Sequence, residues 1–371
     1  MGYLKDETTI IREGQKINNI YEVERFLGEG AFANVYRVRH RFLGRQAMKV
    51  FKRMNLSQEE TEEILSEAIL LSKLGHPNII RVYNADTFES AIGIFGFFTM
   101  EYVAGGTLEQ FWKSFIQNFI PISQTVEVMI QICQGLSVAH SYQPPIIHRD
   151  IKPQNILVGY DASGINIKIS DFGLAKQVNP LTLMASAKGT LAFKAPESFE
   201  DNDSTRTDVF AVGSVMYLLL TDQLPFQIEE GEDFAYRKRF NRALIPPSRH
   251  NIDVDKHLEA IVMKALSIEP EKRYKDAIEM LLALKEWQKG RAITKYKDKH
   301  YALTEKTALS GSPPISLSKA NEMIKAAFEL ALLPGQLKEA ADLLEEAINA
   351  APELRTKYSY QLQLWRKGVI M

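Results

Sequence analysis

The residues best equipped for chemistry fall into a few clusters, and their order along the chain is informative. The first holds two glycines, in Gly28-Glu29-Gly30-Ala31-Phe32-Ala33-Asn34-Val35. A glycine-rich dinucleotide turn leads into a helix, whereas Val35, Tyr36, Arg37 and Val38 read as a strand. The glycines fit a strand–loop–strand flap whose backbone amides approach phosphates closely. Taken alone, they fit an ordinary hairpin turn equally well. Next comes Lys49, in Ala47-Met48-Lys49-Val50-Phe51, where period-two alternation puts Ala47, Lys49 and Phe51 on one face. An ammonium among apolar neighbours is costly unless it meets an anion. Glu67, inside the apolar stripe of the following helical pattern, has the matching need. The two are candidate partners; the other reading is two charges reaching for solvent. Farther on, His148, Arg149, Asp150, Lys152, Gln154 and Asn155 are packed between aliphatic residues, and Asp171-Phe172-Gly173 follows soon after. Asp150, Asn155 and Asp171 supply a base and the hard oxygen ligands that Mg²⁺ prefers. A glycine flap, a buried Lys–Glu pair and this triad together describe phosphoryl transfer from a nucleotide.

Such groups need a scaffold, and the pattern of elements supplies one. Residues 23–27, 34–40 and 46–52 read as short strands separated by turn residues. Residues 57–74 carry helical spacing, with Ile64, Glu67, Ala68, Leu71 and Leu74 on one stripe. Beyond Leu108 the signal is mostly helical, as at 122–142, 208–220, 257–266 and 274–288. A small β-rich part followed by a larger helical one predicts an α+β architecture in two lobes. The 371 residues leave room for two or three domains, with 45 % hydrophobic and 25 % charged residues, as in soluble globular proteins. A net charge of −1 argues against a general nucleic-acid binder. The single cysteine, Cys133, excludes intrachain disulfides and cysteine-clustered zinc, and fits a reducing compartment. The most apolar stretch, 91–103, is too short to span a membrane and is broken by Glu101. The first residues lack the apolar core of a signal peptide. These features predict a cytoplasmic protein.

From about Ile20 to Trp287 the chain resembles the eukaryotic-type (Hanks-type) protein kinases, in their Ser/Thr branch. The motifs above stand in the family's order, and Ala195-Pro196-Glu197, Asp208 to Gly213, and Arg273 complete the set. The resemblance implies the bilobal protein kinase fold, with an N-lobe over about 20–101 and a C-lobe over about 104–288. It implies ATP and Mg²⁺ as cofactors, with Mn²⁺ as an alternative ion. Leu27, Gly28, Gly30 and the intervening amides would cover the ATP, and Lys49 would contact its α/β-phosphates, held by Glu67. Asp150 would orient the substrate hydroxyl and accept its proton, with Lys152 near the transferred phosphate. Asn155 and Asp171 would hold the metal. Val35, Ala47 and Leu157 would sandwich the adenine, with Met100 behind it and Glu101, Tyr102 and Val103 as the hinge. Leu71, Val82, His148 and Phe172 would stack between the lobes. Asp208 would anchor the catalytic-loop backbone, and Glu197 would pair with Arg273.

Departures from the family pattern are mild. Ala33 replaces the third glycine, adding one methyl group, and Phe210 stands where Trp is usual. Lys194 precedes Ala195 where Met or Ser is more frequent, and the sequence offers no reason for it. Lys152, two residues after the base, and Thr190 fit the Ser/Thr pattern. Gln154 and Thr107 replace common acids, so no strong preference for upstream basic residues is expected. Arg149 is the family's partner for a phosphate on the activation segment, for which Thr182, Ser186 and Thr190 are available. Autophosphorylation at Thr182 or Ser186 is expected to raise activity.

Residues 289–315 are polar and end in Ser310-Gly311-Ser312-Pro313-Pro314, which reads as a linker. Three helical patterns follow, within 316–371. Ala340, Leu344, Ala347 and Pro352 resemble the second helix of a tetratricopeptide repeat, with Ile324, Ala327, Phe328 and Ala331 in first-helix positions. Tyr360, Leu364 and Trp365 are expected to face inward from the last helix. Stacked repeats usually need several units, so this all-α extension is expected to dock on a partner protein or a second copy. The sequence thus predicts a Ser/Thr protein kinase acting on protein hydroxyls, with neither nucleic acid nor a membrane span involved. The alternative is a weak or inactive kinase-fold scaffold acting through its C-terminal helices.

Overall fold

The computed structural model describes residues 10–30, 32–55, 57–115, 119–161, 164–172, 191–200, 202–226, 237–306, 317–331, 336–351 and 354–366. The chain divides into two compact units, Met1–Ala292 and Ile293–Met371.

The first unit opens with β1 (Lys16–Ile17), β2 (Tyr21–Glu29), β3 (Ala33–His40) and β4 (Gly44–Met54), followed by β5 (Val82–Ser90) and β6 (Gly93–Glu101). They form one antiparallel sheet in the order β1-β2-β3-β4-β6-β5. The alternation read in β4 is real, and the sheet uses both faces. Ala47 and Phe51 join the large core shared with the helices, while Met48 and Val50 join a second core with Tyr21, Tyr36 and Phe97. Lys49 therefore lies on the face turned to the helical part.

Helical spacing over 57–74 predicted one helix; the structure has two, α1 (Gln58–Ile64) and α2 (Ser66–Lys73). Leu65 separates them, yet its amide bonds to Thr61 O and its carbonyl receives the Ile69 amide. The i→i−4 ladder thus runs through the break. Ser57 and Glu60 start α1 by capping each other: the Ser57 amide donates to the Glu60 carboxylate and the Glu60 amide to Ser57 Oγ.

The helical part holds α3 (Leu108–Lys113), α4 (Ile122–His140), α5 (Thr205–Thr221), α6 (Lys256–Ala265) and α7 (Ala277–Lys306), with the hairpin β7 (Ile156–Asp161) and β8 (Gly164–Ile169). Nearly all of α5 is buried, and beyond its polar first turn it is apolar on most of its circumference. It approaches α6 closely: a Cβ on Gly213 would lie 2.8 Å from Ala265 Cβ. Cys133, inside α4, is buried, and burial pushes its thiol pKa up to about 12. It is a core residue, as its apolar surroundings predicted. Residues 78–80 join the sheet part to the hairpin, since Ile80 N donates to Ile169 O and Ile169 N to Asn78 O. Asn78 extends this link by donating to Ile167 O and to Gln131 on α4. Residues 291–306, read as the start of a linker, continue α7, and 307–316 lie outside the described residues. Among the described residues, no helix is long and apolar enough to cross a membrane.

The second unit contains α8 (Leu317–Ala331), α9 (Leu337–Ala350) and α10 (Arg355–Arg366). Ile324, Ala327, Ala331, Ala340, Leu344 and Ala347 are buried together, as their spacing predicted. Phe328 differs: it is 38 % exposed, with its ring edge-on to Trp365 at 4.8 Å. From α10, Tyr358, Leu362 and Trp365 pack on this core. Tyr360 and Leu364, expected inward with Trp365, are half-buried beside it. The stripe runs i, i+4, i+7 and Trp365 sets its phase.

Candidate active site

The glycine cluster joins β2 to β3 as a tight strand–turn–strand. Gly28 pairs with Val35 and Glu29 with Asn34, and Gly30 N donates to Ala33 O at 2.8 Å. Ala33 is buried at the start of β3, so the methyl group that replaces the third glycine points into the core. Leu27 stands exposed on one side of the turn. Register then places the other apolar candidates: Val35 opposite Lys49, and Ala47 opposite Met100.

After β6 the chain passes through Glu101, Tyr102 and Val103 to α3. Glu101 N donates to Arg81 O, and its carboxylate meets Lys168 Nζ at 2.9 Å. The Arg25 guanidinium donates to the Tyr102 hydroxyl at 3.4 Å, and Arg37 lies over its ring. Val158 N donates to Gly106 O, and Leu157 forms a bridge with Thr107. The hairpin residue Leu157 is thereby held beside the crossing, on the opposite side of the sequence from Val35 and Ala47. Thr107, read as the replacement of an acid, caps α3 by accepting from Gln110 N.

Lys49 is 5 % exposed and its Nζ lies 2.6 Å from Asp171 Oδ1. It also faces the Phe98 ring at 5.5 Å. One anion that Lys49 meets is Asp171, 122 residues away in the chain. The side chain of Glu67, the expected partner, lies outside the described residues. Asp171 adopts a left-handed backbone, φ 61°. Burial alone would raise its pKa, but the Lys49 ammonium outweighs this and holds it below the usual carboxylate range. It stays ionised at any ordinary pH.

The catalytic-loop candidates are fixed from underneath. Asp208, at the start of α5, accepts from His148 N at 2.8 Å and Arg149 N at 2.9 Å. Its Oδ2 also meets His140 Nε2 at 2.9 Å. His140 Nδ1 accepts from Ala277 N, so Nε2 carries the proton given to Asp208. His148 is resolved by the same reasoning. Its Nδ1 accepts from Asp150 N, so Nε2 donates to Ser170 O. Burial lowers the His148 pKa, which keeps it neutral. Its ring packs on Phe172 at 4.5 Å, and both are fully buried.

Asp150 is 22 % exposed. Its Oδ2 receives Lys152 Nζ and Asn155 Nδ2, each at 2.8 Å. Asn155 Nδ2 also donates to Asp150 O, which fixes the amide so that Oδ1 is the face left for a ligand. Ser170 N and Oγ both donate to Asn155 O and tie this loop to the residue before Asp171. Asp150 Oδ1 has no partner among the described residues, so it can accept a hydroxyl. Asn155 and Asp171 offer only hard oxygen donors, which suit Mg²⁺ or Mn²⁺ rather than a soft metal.

Glu197 and Arg273 pair bidentately at 2.5 and 2.9 Å. Arg273 also donates to Ser267 O, Arg206 O and Ile268 O, so every N–H of the guanidinium is used. It lies 4.8 Å from the Phe210 ring, which stacks on Phe226. Phe210 thus fills its site in an aromatic layer. Replacing Arg273 by alanine strands Glu197 and is expected to cost about 3–5 kcal/mol, read as a lower unfolding midpoint in urea.

Some partners were not read from the sequence. His140, Asn78, Lys168, Ser170 and Asp203 lie in no recognisable motif. His140 at the end of an apolar helix was the one visible signal. Arg149, expected to face a phosphate, meets Asp203 Oδ2 at 3.2 Å. Thr182, Ser186 and Thr190 lie outside the described residues, as do Gly173 and Ala31.

Residues 21–287 match the protein kinase domain family. The chain is 32 % identical over 311 residues to the serine/threonine-protein kinase PknB of Mycolicibacterium smegmatis, covering 81 % of this chain and 48 % of that protein. A probable serine/threonine-protein kinase PknB of Lactococcus lactis is 32 % identical over 284 residues, or 73 % of this chain and 42 % of its own length. The matched part is therefore less than half of either relative. The crystal structure of the Mycobacterium tuberculosis PknI kinase domain superposes with a TM-score of 0.55 at 25 % identity, covering 74 % of this chain and 99 % of that one. The fold is the bilobal kinase fold, with a β-sheet N-lobe, a helical C-lobe and extra helices. With family match, sequence relatives and fold in agreement, the chain belongs to the protein kinase family.

Proposed function

We propose that this chain transfers the γ-phosphoryl group of ATP to Ser and Thr hydroxyls of proteins. The observation that carries the reading is the arrangement at Asp150. Its Oδ2 is held by Lys152 and Asn155, and Oδ1 remains for an acceptor. In this reading, Asp150 orients the hydroxyl and takes its proton, and Lys152 offsets charge on the transferred group. Lys49 binds the α/β-phosphates and Glu67 holds Lys49. Leu27, Gly28 and Gly30 cover the nucleotide. Val35, Ala47 and Leu157 enclose the adenine against Met100, and Glu101 and Val103 present hinge backbone to it. Asn155 and Asp171 would hold Mg²⁺, or Mn²⁺ in its place. The divalent ion, when bound, neutralises charge on the phosphates.

The proposed kinase unit spans 20–288, and 316–371 is a tetratricopeptide-like extension joined by 289–315. The buried Ala340, Leu344 and Ala347 support that likeness. The extension is proposed to engage a partner protein or a second copy, and the protein to act in the cytoplasm. The test is phosphate mass spectrometry after incubation with ATP and Mg²⁺, beside an Asp150→Asn control. Phosphate on the wild type alone is the expected result; none in either sample would remove the reading.

Control is proposed to run through Arg149. A phosphate on Thr182 or Ser186 carries more charge than the Asp203 carboxylate and would compete for the guanidinium. The Thr182→Ala/Ser186→Ala double variant is expected to lose about tenfold in rate toward an added substrate. An unchanged rate rules out this control.

A further inference from the structure

Arg239 is a buried cation that the kinase motifs do not account for. It is 2 % exposed and is the largest fully buried side chain among the described residues. No carboxylate meets it there. Its Nη2 donates to Leu191 O at 2.7 Å and to Lys194 O at 3.1 Å. Nε and Nη1 have no hydrogen-bond partner among the described residues. The guanidinium lies 4.5 Å from the Phe240 ring and 5.6 Å from that of Phe199. Burial draws its pKa down to about 10, so it is still charged at neutral pH.

The contrast with Arg273 is informative. Arg273 has a carboxylate and uses all its donors, so its burial is compensated. Arg239 has two carbonyls and two ring faces, and a buried guanidinium without an anion is costly. Phe199 and Phe240 face the guanidinium, and Phe210 and Phe226 pack on Phe240 behind it, so an apolar side chain there would serve the core better. What an apolar residue cannot do is hold two carbonyls that lie three residues apart.

Those carbonyls belong to one turn. Lys194 N donates to Leu191 O at 3.3 Å, which closes residues 191–194 on themselves. The turn leads directly into Ala195-Pro196-Glu197, whose Glu197 is held by Arg273. Phe193, Lys194 and Ala195 line a narrow crevice together with Arg149, Asp150 and Thr207. The turn thus lies beside the loop that carries the proposed base. Arg239 holds this turn at the carbonyls of its first and last residues, Leu191 and Lys194.

We infer that Arg239 is a positioning residue for the protein substrate: it fixes the 191–194 turn beside the Asp150 loop and so sets how the residues flanking the acceptor hydroxyl dock. The inference rests on the kinase reading above and adds to it a determinant of acceptor binding. It also gives Lys194 a role through its main chain, since its carbonyl, not its ammonium, is what Arg239 holds.

The test uses the full chain, a degenerate Ser/Thr peptide library varied on both sides of the acceptor, and ATP with Mg²⁺. Arg239→Met keeps the bulk and removes the charge and donors; Arg239→Lys keeps a cation that reaches one carbonyl. For Arg239→Met, KM for peptide is expected to rise about tenfold while KM for ATP stays within about twofold. Selectivity at the flanking positions should flatten, and Arg239→Lys should recover part of both. A merely structural residue would lower kcat and the melting temperature together and leave peptide selectivity intact, and that result overturns the inference. Unchanged peptide KM in both variants also overturns it. If Arg239→Met does not fold, the same readouts on Arg239→Lys decide. A wild type that phosphorylates no peptide removes the kinase reading itself, a result distinct from those on the variants.

Discussion

Asp150→Asn is expected to slow phosphoryl transfer by about 10²–10⁴-fold with little change in stability or in KM for ATP. The reason is geometric. In the wild type, Oδ2 accepts from Lys152 and Asn155, and Oδ1 has no partner among the described residues. An asparagine must turn its carbonyl oxygen toward those two donors. Its amide NH₂ then occupies the position of Oδ1, so a donor stands where an acceptor hydroxyl needs a base. The charge that holds Lys152 is lost as well. The site is partly exposed and the replacement is of equal size, so folding is spared. Single-turnover rates on the two proteins check this. A variant that keeps more than a tenth of the wild-type rate would show that Asp150 is not the base.

Asp208→Ala is expected to be the most destabilising of the changes considered, by about 3 kcal/mol or more. It leaves the His148 amide, the Arg149 amide and the His140 ring N–H without an acceptor, all near or inside the core. Each orphaned donor costs about 1–3 kcal/mol, against a total stability of about 5–15 kcal/mol for a typical domain. Activity should fall with stability, because the same bonds hold the backbone on either side of Asp150. The pH dependence carries its own sign. Burial alone would raise the Asp208 pKa, but the hydrogen bonds from the His140 ring and the His148 amide bring it below the usual value of about 4. A carboxyl lowered on folding contributes stability that is complete above its unfolded pKa. That stability is lost as pH falls through the folded value. Asp171, lowered by Lys49, acts in the same direction. Wild-type stability should therefore fall below about pH 4, and Asp208→Asn should flatten that fall. Urea midpoints measured across pH 3–7 decide it; a variant as steep as the wild type would exclude Asp208 as a contributor.

Much of the site was legible because its chemistry is local in sequence. Asp150, Lys152 and Asn155 fall within one short loop, and their types already describe a base, a cation and an oxygen ligand. The two-residue period in β4 separated Ala47, Lys49 and Phe51 from Met48 and Val50, and the two cores divide along the same line. The apolar spacing of α8 and α9 likewise marked Ile324, Ala327, Leu344 and Ala347 as core. Periodicity succeeds in these places because a strand or helix presents its residues at fixed angles, whatever it packs against.

Where the argument needed a partner across space, the sequence could state the need and not the answer. A buried ammonium at Lys49 required an anion, for which the sequence offered Glu67; that Asp171 meets it too follows only from the path of the chain. Arg149 required an anion too, and Asp203 is the one it meets among the described residues. The Leu65 break leaves no mark on the apolar spacing, and the inward face of α10 turned on Trp365, whose bulk fixed the phase at Tyr358 and Leu362. Arg239 lies in no motif, and its significance appears only when the carbonyls of Leu191 and Lys194 are found against it. The sequence by itself determined the family, the candidate reacting groups and the faces of most elements, because residue type and spacing express chemistry and local geometry. Tertiary structure alone decided which buried charge meets which, because pairing depends on the path of the chain between them.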